Sequence, residues 1–180
     1  MPKVNIYMET DNGSKGTLYR GYGAVVEFVR RDGTPEIRTV SGMCHGDWNL
    51  AYIHALTEAL GLLAKPCTVI MVTNNDYVCK SLCNGRVNEW RINGWCTAAG
   101  RPVAYADEWR ELYRAASGHT FYFVHTVGKR PYSSEIQEAI SEVRGRGERW
   151  QQMQSADWPH ATGNMERHPA MEKWKGRNDA

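Results

Sequence analysis

Two pairs of side chains have the four-residue spacing that a metal site on a helix uses. His54 and Glu58 lie in a stretch with helical periodicity, so the predicted helix places both on one face. Cys79 and Cys83 have the same spacing, but no second Cys or His pair accompanies them at the distance that a structural zinc site needs. We therefore interpret the cysteines as half-buried helix residues. For His54 and Glu58, a surface hydrogen bond is a better explanation than a metal site.

A polar loop follows a short apolar run of the chain. Residues 68–73 (TVIMVT) have the composition of a central strand that is covered on both faces. Asn74, Asn75 and Asp76 follow directly and supply polar caps for a helix that begins near Tyr77. Because sites in α/β proteins usually form at the carboxyl ends of strands, this loop is a candidate functional site.

The periodicity of the chain predicts five strands with helical connections. Residues 4–10 alternate apolar and polar side chains, which indicates a strand with one buried face and places Glu9 on the other face, near the strand end. Leucines at helical spacing predict a core helix that Asn49 caps and Lys65–Pro66 ends. The predicted elements are strands 4–10, 22–29 and 37–40, helix 49–63, strand 68–73, a helix from residue 77, two short helices within 87–116, strand 120–127 and helix 133–153.

Length and composition are those of one ordinary globular domain. The chain has 180 residues, of which 42% are hydrophobic and 23% charged, and this excludes disordered, collagen-like and disulfide-scaffold proteins. No run approaches the roughly 18 apolar residues of a membrane helix, and the N-terminus has no signal-peptide core, so we expect no membrane partner. An odd number of cysteines, 5, favours free thiols in a reducing compartment, and we expect a cytoplasmic location.

The distribution of charge and of helix-breaking residues changes near the C-terminus. Basic and acidic side chains balance over residues 1–143, so the net charge of +2 comes from the residues after them. Charge alone therefore gives little support for a nucleic-acid partner. From residue 154 the sequence is polar and is interrupted by proline and glycine. We predict one domain over residues 1–153 and a flexible tail over residues 154–180.

Several fixed spacings resemble the type I ribonuclease H family over roughly residues 4–143. Residues 90–112 (WRINGWCTAAGRPVAYADEWREL) keep the family's spacing W-x4-W-x-T-A-x3-P-V-x3-D-x-W-x2-L. Residues 21–24 match the GYGA of its second strand, and Tyr77–Val78 match the Tyr-Val after its third catalytic carboxylate. The resemblance implies a ribonuclease H-like α/β fold, with a five-stranded mixed sheet flanked by helices. Three of its strands are antiparallel, and the other two have helical connections.

The resemblance also implies a catalytic site in which only one ligand is acidic. Members of the family cleave the RNA strand of an RNA/DNA hybrid with two Mg²⁺ ions, which four carboxylates normally hold. Glu9 falls on the first of these positions and Asn74 on the third. The second falls on Tyr52 or His54, depending on the register, and the fourth falls on Gln137. The loop over residues 126–130 also lacks the Gly-His that aids product release in the family.

Loss of three carboxylates predicts impaired cleavage, because two divalent ions need a comparable number of anionic ligands. We expect no resident cofactor, with Mg²⁺ or Mn²⁺ bound only if residual nuclease activity exists. The alternative is an active Mg-dependent hybrid endoribonuclease with relocated ligands, in which Glu9 and Asp76 are the candidate metal ligands. Such a rearrangement would recruit further carboxylates from Asp11, Glu58, Glu135 and Glu138.

Nucleic-acid binding does not require the metal, so the resemblance still implies a binding surface. The family contacts sugars and 2′-hydroxyls by shape, and a protrusion with aromatic and basic side chains contacts the DNA strand. The candidate nucleic-acid-binding residues are Asn49, Asn75, Lys80, Trp90, Arg91, Trp95 and Arg101. The implied partner is an RNA/DNA hybrid or another A-like duplex, and the carboxylate-poor pattern resembles a bacterial type. A protein-interaction module on the same scaffold is the remaining alternative.

Overall fold

A computed structural model describes the backbone of residues 1–11 and 19–156 and the side chains of residues 1–11 and 19–149. The chain divides into two units, Met1–Arg146 and Gly147–Ala180. The first unit contains every strand that the structure describes, and the second is described over its helical residues only. The predicted domain boundary after residue 153 stays a prediction, because the tail from residue 157 lies outside the described residues.

Strands and helices follow one another in the predicted order. Their bounds are β1 (Lys3–Thr10), β2 (Tyr19–Val29), β3 (Pro35–His45), α1 (Trp48–Gly61), β4 (Thr68–Thr73), α2 (Asp76–Cys83), α3 (Arg86–Ile92), α4 (Ala106–Ala116), β5 (Thr120–His125) and α5 (Ser133–Ala156). In the described part of the chain, no helix has the length and apolar character needed to cross a membrane.

The strands form one mixed sheet in the order β3-β2-β1-β4-β5. β2 pairs antiparallel with both β1 and β3, whereas β4 pairs parallel with both β1 and β5. This arrangement confirms the predicted five-stranded mixed sheet. Because β1 and β4 are parallel neighbours, the residues at their carboxyl ends, Glu9 and Asn74, emerge at the same edge of the sheet.

The lengths of β2, β3 and β5 differ from the prediction, because pairing with neighbouring strands, and not the side-chain pattern, determines where a strand ends. β2 and β3 are each 11 residues long, and their hairpin pairs from Tyr19 with His45 to Val29 with Pro35. β5 ends at His125 instead of residue 127, because its neighbour β4 ends at Thr73.

One face of the sheet packs against α1 and α4 to form the main core. Ile6 and Met8 of β1 are fully buried there, together with Leu56 of α1 and Trp109 of α4. The alternation over residues 4–10 correctly predicted that Ile6 and Met8 are internal. Glu9, which it placed on the other face, is also buried, because Arg130 and Gln137 contact it there. Burial of these large apolar side chains is the main stabilising contribution to the unit.

The opposite face of the sheet carries the first half of α5. Ile136 and Ile140 of α5 form a small buried cluster with Val25 of β2. Gly21 and Gly23 lie beneath the helix, and a Cβ at Gly21 would overlap Cγ2 of Ile140. The absence of side chains at these glycines therefore lets α5 lie close to β2.

The predicted N-cap of α1 is wrong by two residues. Asp47 is the N-cap, since its backbone is extended and its Oδ1 accepts a hydrogen bond from the N–H of Leu50 over 3.0 Å. Asn49 instead lies in the first turn, where its side chain accepts a hydrogen bond from Nδ2 of Asn75 over 3.0 Å. Asp and Asn are both good caps, so the sequence pattern did not distinguish them.

All five cysteines are free thiols, as expected from their odd number. Cys79 is fully buried and Cys83 is exposed, so neither is half-buried as predicted. Burial raises the pKa of the Cys79 thiol well above its usual range. The thiol is therefore uncharged and acts as a small apolar side chain of the core.

Candidate functional site

Glu9 is the only acidic side chain among the predicted catalytic positions, and protein donors occupy both of its oxygens. The residue lies near the carboxyl end of β1 and is 3% exposed. Nε of Arg130 donates to Oε1 over 3.0 Å, and Nε2 of Gln137 donates to Oε2 over 2.8 Å. Gln137 also donates to the carbonyl oxygen of Thr10 over 3.2 Å. Glu9 and Gln137, which are 128 residues apart in sequence, are thus brought into direct contact.

Arg130 supplies the positive charge of the site. It lies in the loop between β5 and α5, and 12% of its side chain is exposed. The pair that it forms with Glu9 is therefore almost fully buried, where solvent screening is weak. One carboxylate and one guanidinium leave this part of the site with no net charge.

Tyr52 completes the site from α1, and its partner is Asn74. The Tyr52 side chain is buried, and its hydroxyl donates to Oδ1 of Asn74 over 2.7 Å. Burial raises the pKa of Tyr52, so the phenol stays neutral. Of the two residues that the sequence left open for the second position, Tyr52 is therefore the one beside Asn74.

His54 lies elsewhere, and its predicted hydrogen bond to Glu58 is absent from the described residues. The His54 ring stacks on Tyr22, with ring centroids 5.5 Å apart, and the Tyr22 hydroxyl donates to Oε1 of Glu58 over 2.5 Å. Burial and the Glu58 carboxylate raise the pKa of Tyr22. The helical spacing placed His54 and Glu58 correctly on one face, but an aromatic side chain from β2 contacts both.

The carboxylates nearest in sequence to Glu9 and Asn74 are engaged in other interactions. Asp11 accepts hydrogen bonds from Arg144 and from the N–H of Gly21. Asp76 pairs with Lys80 and with Nδ1 of His125, each over 2.7 Å. The hydrogen bonds from Lys80 and His125 hold the pKa of Asp76 below its usual range. Glu135 and Glu138 are exposed on α5.

The side chains at this edge do not fit two divalent cations. The oxygens offered by Glu9, Tyr52, Asn74 and Gln137 include a single carboxylate, and a guanidinium already neutralises it. Within the described residues, no three His, Cys, Asp or Glu side chains gather closely enough to hold a metal ion. Mg²⁺ prefers anionic oxygen ligands, and here amide and guanidinium donors compete for the one carboxylate. We therefore derive no catalytic step through a metal at this edge.

Asn49 and Asn75 form a polar pair beside the site. Besides the bond between their side chains, Oδ1 of Asn75 accepts from the N–H of Val78 and caps α2. Both residues are partly exposed. The two residues that the resemblance placed near the sugar-contacting area are therefore neighbours in space, and their orientation is fixed by these hydrogen bonds.

The tryptophans of residues 90–112 mainly stabilise this segment. Trp90 is 9% exposed and packs edge-on against Trp109, with ring centroids 5.3 Å apart. Its ring therefore offers little surface to a nucleic acid, and the assignment of Trp90 as a nucleic-acid-binding residue stays a prediction. Trp95 is half-buried, and the guanidinium of Arg110 lies 5.4 Å from its ring centroid.

Basic side chains remain exposed around the same segment. Lys80 is exposed although it pairs with Asp76. Arg91 is exposed, with its guanidinium 5.4 Å from the ring centroid of Tyr113, and Arg101 is exposed. These three side chains are available to bind phosphates.

Sequence reasoning did not identify Arg130 as the partner of Glu9. The residue lies just before Pro131, in the loop that lacks the family's Gly-His. Its partner, Glu9, is 121 residues away, and no local pattern indicates a contact over that separation. A buried carboxylate requires a cation, but the sequence pattern placed Glu9 on the face opposite the buried one and so gave no such signal.

Comparisons with known proteins agree with the family resemblance and with the fold. The model of the RNase H family matches residues 2–132. A ribonuclease H of Janthinobacterium sp. (strain Marseille) is 34% identical over 120 residues, which are 66% of this chain and 78% of that protein. A ribonuclease H of Neisseria meningitidis serogroup C is 30% identical over 142 residues, which are 79% of this chain and 94% of that protein.

Solved structures resemble the chain in fold. The crystal structure of LC9-RNase H1, described as a type 1 RNase H with the type 2 active-site motif, has a TM-score of 0.65 at 20% identity and covers 81% of this chain and 73% of that chain. A foamy viral protease-reverse transcriptase in complex with RNA/DNA hybrid has a TM-score of 0.59 at 18% identity, over 79% of this chain and 20% of that chain. At these identities the similarity is one of fold.

Proposed function

Because this chain belongs to the ribonuclease H family, we propose that it binds RNA/DNA hybrid without the two-metal cleavage typical of that family. The proposal rests above all on the hydrogen bonds that Glu9 accepts. Arg130 and Gln137 occupy both oxygens of this carboxylate, and the side chains that the resemblance assigns to the other three positions, Tyr52, Asn74 and Gln137, are uncharged. A hybrid can still be recognised by shape and by phosphate contacts, neither of which needs a metal.

The surface around the site supports binding. Asn49 and Asn75 are partly exposed and oriented by their mutual hydrogen bond, which suits contacts to sugar hydroxyls. Lys80, Arg91 and Arg101 are exposed on and near α2 and α3, where they would attract the phosphates of one strand. Contacts to sugars and phosphates depend on the shape of a duplex and not on its base sequence.

The hydrogen bonds of the neighbouring carboxylates favour this proposal over an active nuclease with relocated ligands. Asp11 and Asp76 each pair with basic side chains, and Glu58 accepts from Tyr22. Recruiting any of them as a metal ligand would break these interactions. We therefore expect divalent metal ions to have little effect on the affinity for the hybrid.

The test is a parallel measurement of binding and cleavage. A labelled RNA/DNA hybrid of about 18 base pairs is incubated with the full chain at low salt in EDTA, in Mg²⁺ and in Mn²⁺, and mobility shift and strand cleavage are recorded together. DNA and RNA duplexes of the same sequence serve as competitors. We expect a shift of equal strength with and without metal, preference for the hybrid over the DNA duplex, and an intact RNA strand.

A matched pair of variants locates the binding surface. Arg91→Ala/Arg101→Ala should weaken hybrid binding and lower its salt dependence. Arg31→Ala/Lys65→Ala removes the same charge near the opposite end of β1 and should leave binding nearly unchanged. Cleavage that requires metal and is lost in Glu9→Gln would establish the relocated-ligand nuclease instead. Absence of both shift and cleavage would leave the protein-interaction module.

A further inference from the structure

We propose that Arg130 is a phosphate-binding residue whose guanidinium, anchored on Glu9, contacts a backbone phosphate of the bound nucleic acid where other family members use metal ions. The inference rests on the proposed function and deepens it, because it names the residue and the chemical group of the ligand. The ligand group is a phosphodiester of the strand that lies across the carboxyl ends of β1 and β4.

Of the three guanidinium nitrogens of Arg130, one forms a hydrogen bond within the described part of the protein. Nε donates to Oε1 of Glu9, and the two terminal nitrogens make no hydrogen bond with the described residues. A guanidinium is planar, so binding of a carboxylate at Nε leaves the two terminal nitrogens at the end of the side chain for another acceptor. These nitrogens form a fork that matches two oxygens of a phosphate.

The position of Arg130 is fixed before any ligand binds. Glu9 is itself held by Gln137, so the carboxylate that anchors the guanidinium cannot turn freely. Two residues after Arg130, the Tyr132 hydroxyl donates to Oε1 of Glu27 over 2.8 Å, and the Tyr132 ring packs edge-on against Tyr7. Tyr132 thus attaches the loop to β1 and β2 directly after the Arg130 side chain. A fixed donor loses little conformational entropy on binding, which favours affinity.

The charge at the site also fits a phosphate better than a metal ion. The buried Glu9–Arg130 pair has no net charge, so no excess of negative charge repels a phosphodiester from this edge. A site with several free carboxylates would repel it until cations were bound. Arg130 therefore allows the phosphate to approach in the absence of divalent ions.

The test removes the guanidinium without leaving a buried carboxylate unpaired. Glu9→Gln keeps an acceptor for Nε, and it serves as the reference for Glu9→Gln/Arg130→Gln and Glu9→Gln/Arg130→Lys. Dissociation constants for the RNA/DNA hybrid are measured in EDTA by fluorescence anisotropy over a range of salt concentrations. Thermal melting of each variant verifies that it is folded at the assay temperature.

We expect Glu9→Gln/Arg130→Gln to bind about tenfold more weakly than Glu9→Gln, with a salt slope smaller by about one. The Lys variant should keep the slope but bind several-fold more weakly than Glu9→Gln, because an ammonium is a point charge without the fork. Glu9→Gln/Arg31→Gln loses the same charge near the far end of β1 and should match Glu9→Gln.

Each outcome separates the two proposals. If wild type binds the hybrid in EDTA but the Arg130→Gln change in the Glu9→Gln background alters affinity less than twofold and leaves the slope unchanged, the inference about Arg130 is wrong and the proposed function stands. If wild type itself does not bind the hybrid, the proposed function is wrong, and the inference that rests on it is wrong too.

Discussion

Nε of Arg130 lies 3.0 Å from Oε1 of Glu9, and this contact joins two residues that are 121 positions apart in the chain. It links the end of β1 to the loop before α5 through a pair of charges that are almost entirely removed from water. A buried pair of this kind contributes little net stability as a pair, but the loss of one partner is costly because the other charge stays buried. The stability of this edge thus depends on the pair and not on either residue alone.

We expect Arg130→Gln alone to lower the free energy of unfolding by about 3–5 kcal/mol, because it leaves the Glu9 carboxylate buried without a cation. Glu9→Gln/Arg130→Gln should recover most of that loss, since no charge is then buried. Urea denaturation of wild type, both single variants and the double variant gives the coupling energy. Destabilisation of the double variant by the sum of the two single effects would give zero coupling energy and would show that the ion pair does not contribute.

Restoring carboxylates should create a metal site that the wild type lacks. Tyr52→Glu, Asn74→Asp and Gln137→Asp together, with Arg130→Ala to remove the competing cation, surround Glu9 with the ligands that Mn²⁺ prefers. Calorimetric titration with Mn²⁺ should detect binding to this variant and none of similar affinity to wild type.

The metal should also stabilise that variant, by about 2.7 kcal/mol when its concentration is 100 times the dissociation constant. The three acidic substitutions without Arg130→Ala form the control and should bind Mn²⁺ more weakly. Equally tight Mn²⁺ binding by wild type would contradict our interpretation of the site.

Gly21→Ala should destabilise the first unit, because the added Cβ overlaps Ile140 and lies 2.9 Å from Oδ2 of Asp11. Moving α5 to relieve this overlap should cost about 1–3 kcal/mol. Gly61→Ala is the matched control: Gly61 ends α1, and beyond its own helix backbone and chain neighbours no atom of the described residues lies within 4 Å of its added Cβ. That substitution should be neutral or stabilise by up to about 1 kcal/mol. Thermal melts that rank the two variants in the opposite order would argue against close packing of α5 on β2.

Glu27 should make stability depend on pH in the acidic range. Its carboxylate accepts hydrogen bonds from Asn5, Tyr7 and Tyr132 over 2.8–3.0 Å. Burial opposes the charged form, but these three donors hold the pKa of Glu27 below its usual value of 4.5. Burial and the hydrogen bond to Glu27 in turn raise the pKa of Tyr7 to about 12, so its hydroxyl stays protonated and remains a donor.

A carboxylate whose pKa is lower in the folded state stabilises the protein fully above its unfolded-state pKa. That contribution is lost as the pH falls through the folded-state pKa. Glu27→Gln should therefore be less stable than wild type at pH 7, and the difference should shrink as the pH is lowered below about 4.5. Urea midpoints at pH 7, 5 and 3.5 measure this change. A difference that stays constant from pH 7 to 3.5 would show that the Glu27 charge has no role.

Much of the fold could be predicted because its signals are local. The alternation over residues 4–10 identified the buried face of β1, and the apolar run over residues 68–73 identified a central strand. The spacing of residues 90–112 identified the family. Strand ends were less accurate, as at His125, because pairing with a neighbouring strand decides where a strand stops.

At the candidate site, the sequence by itself determined which side chains are available, and the resemblance implies that the family's carboxylate positions fall on Glu9, Asn74 and Gln137, and on either Tyr52 or His54. Only the tertiary structure decided between Tyr52 and His54, because an aromatic ring from β2 contacts His54 whereas Asn74 from β4 meets Tyr52.

The contact between Arg130 and Glu9 also depends on the tertiary structure alone. Parallel pairing of β1 and β4 and the packing of α5 on β2 determine which distant residues meet, and no local pattern in the chain specifies that contact. A buried carboxylate indicates that some cation must accompany it, but only the assembled sheet and helix determine that this cation is a guanidinium from the same chain.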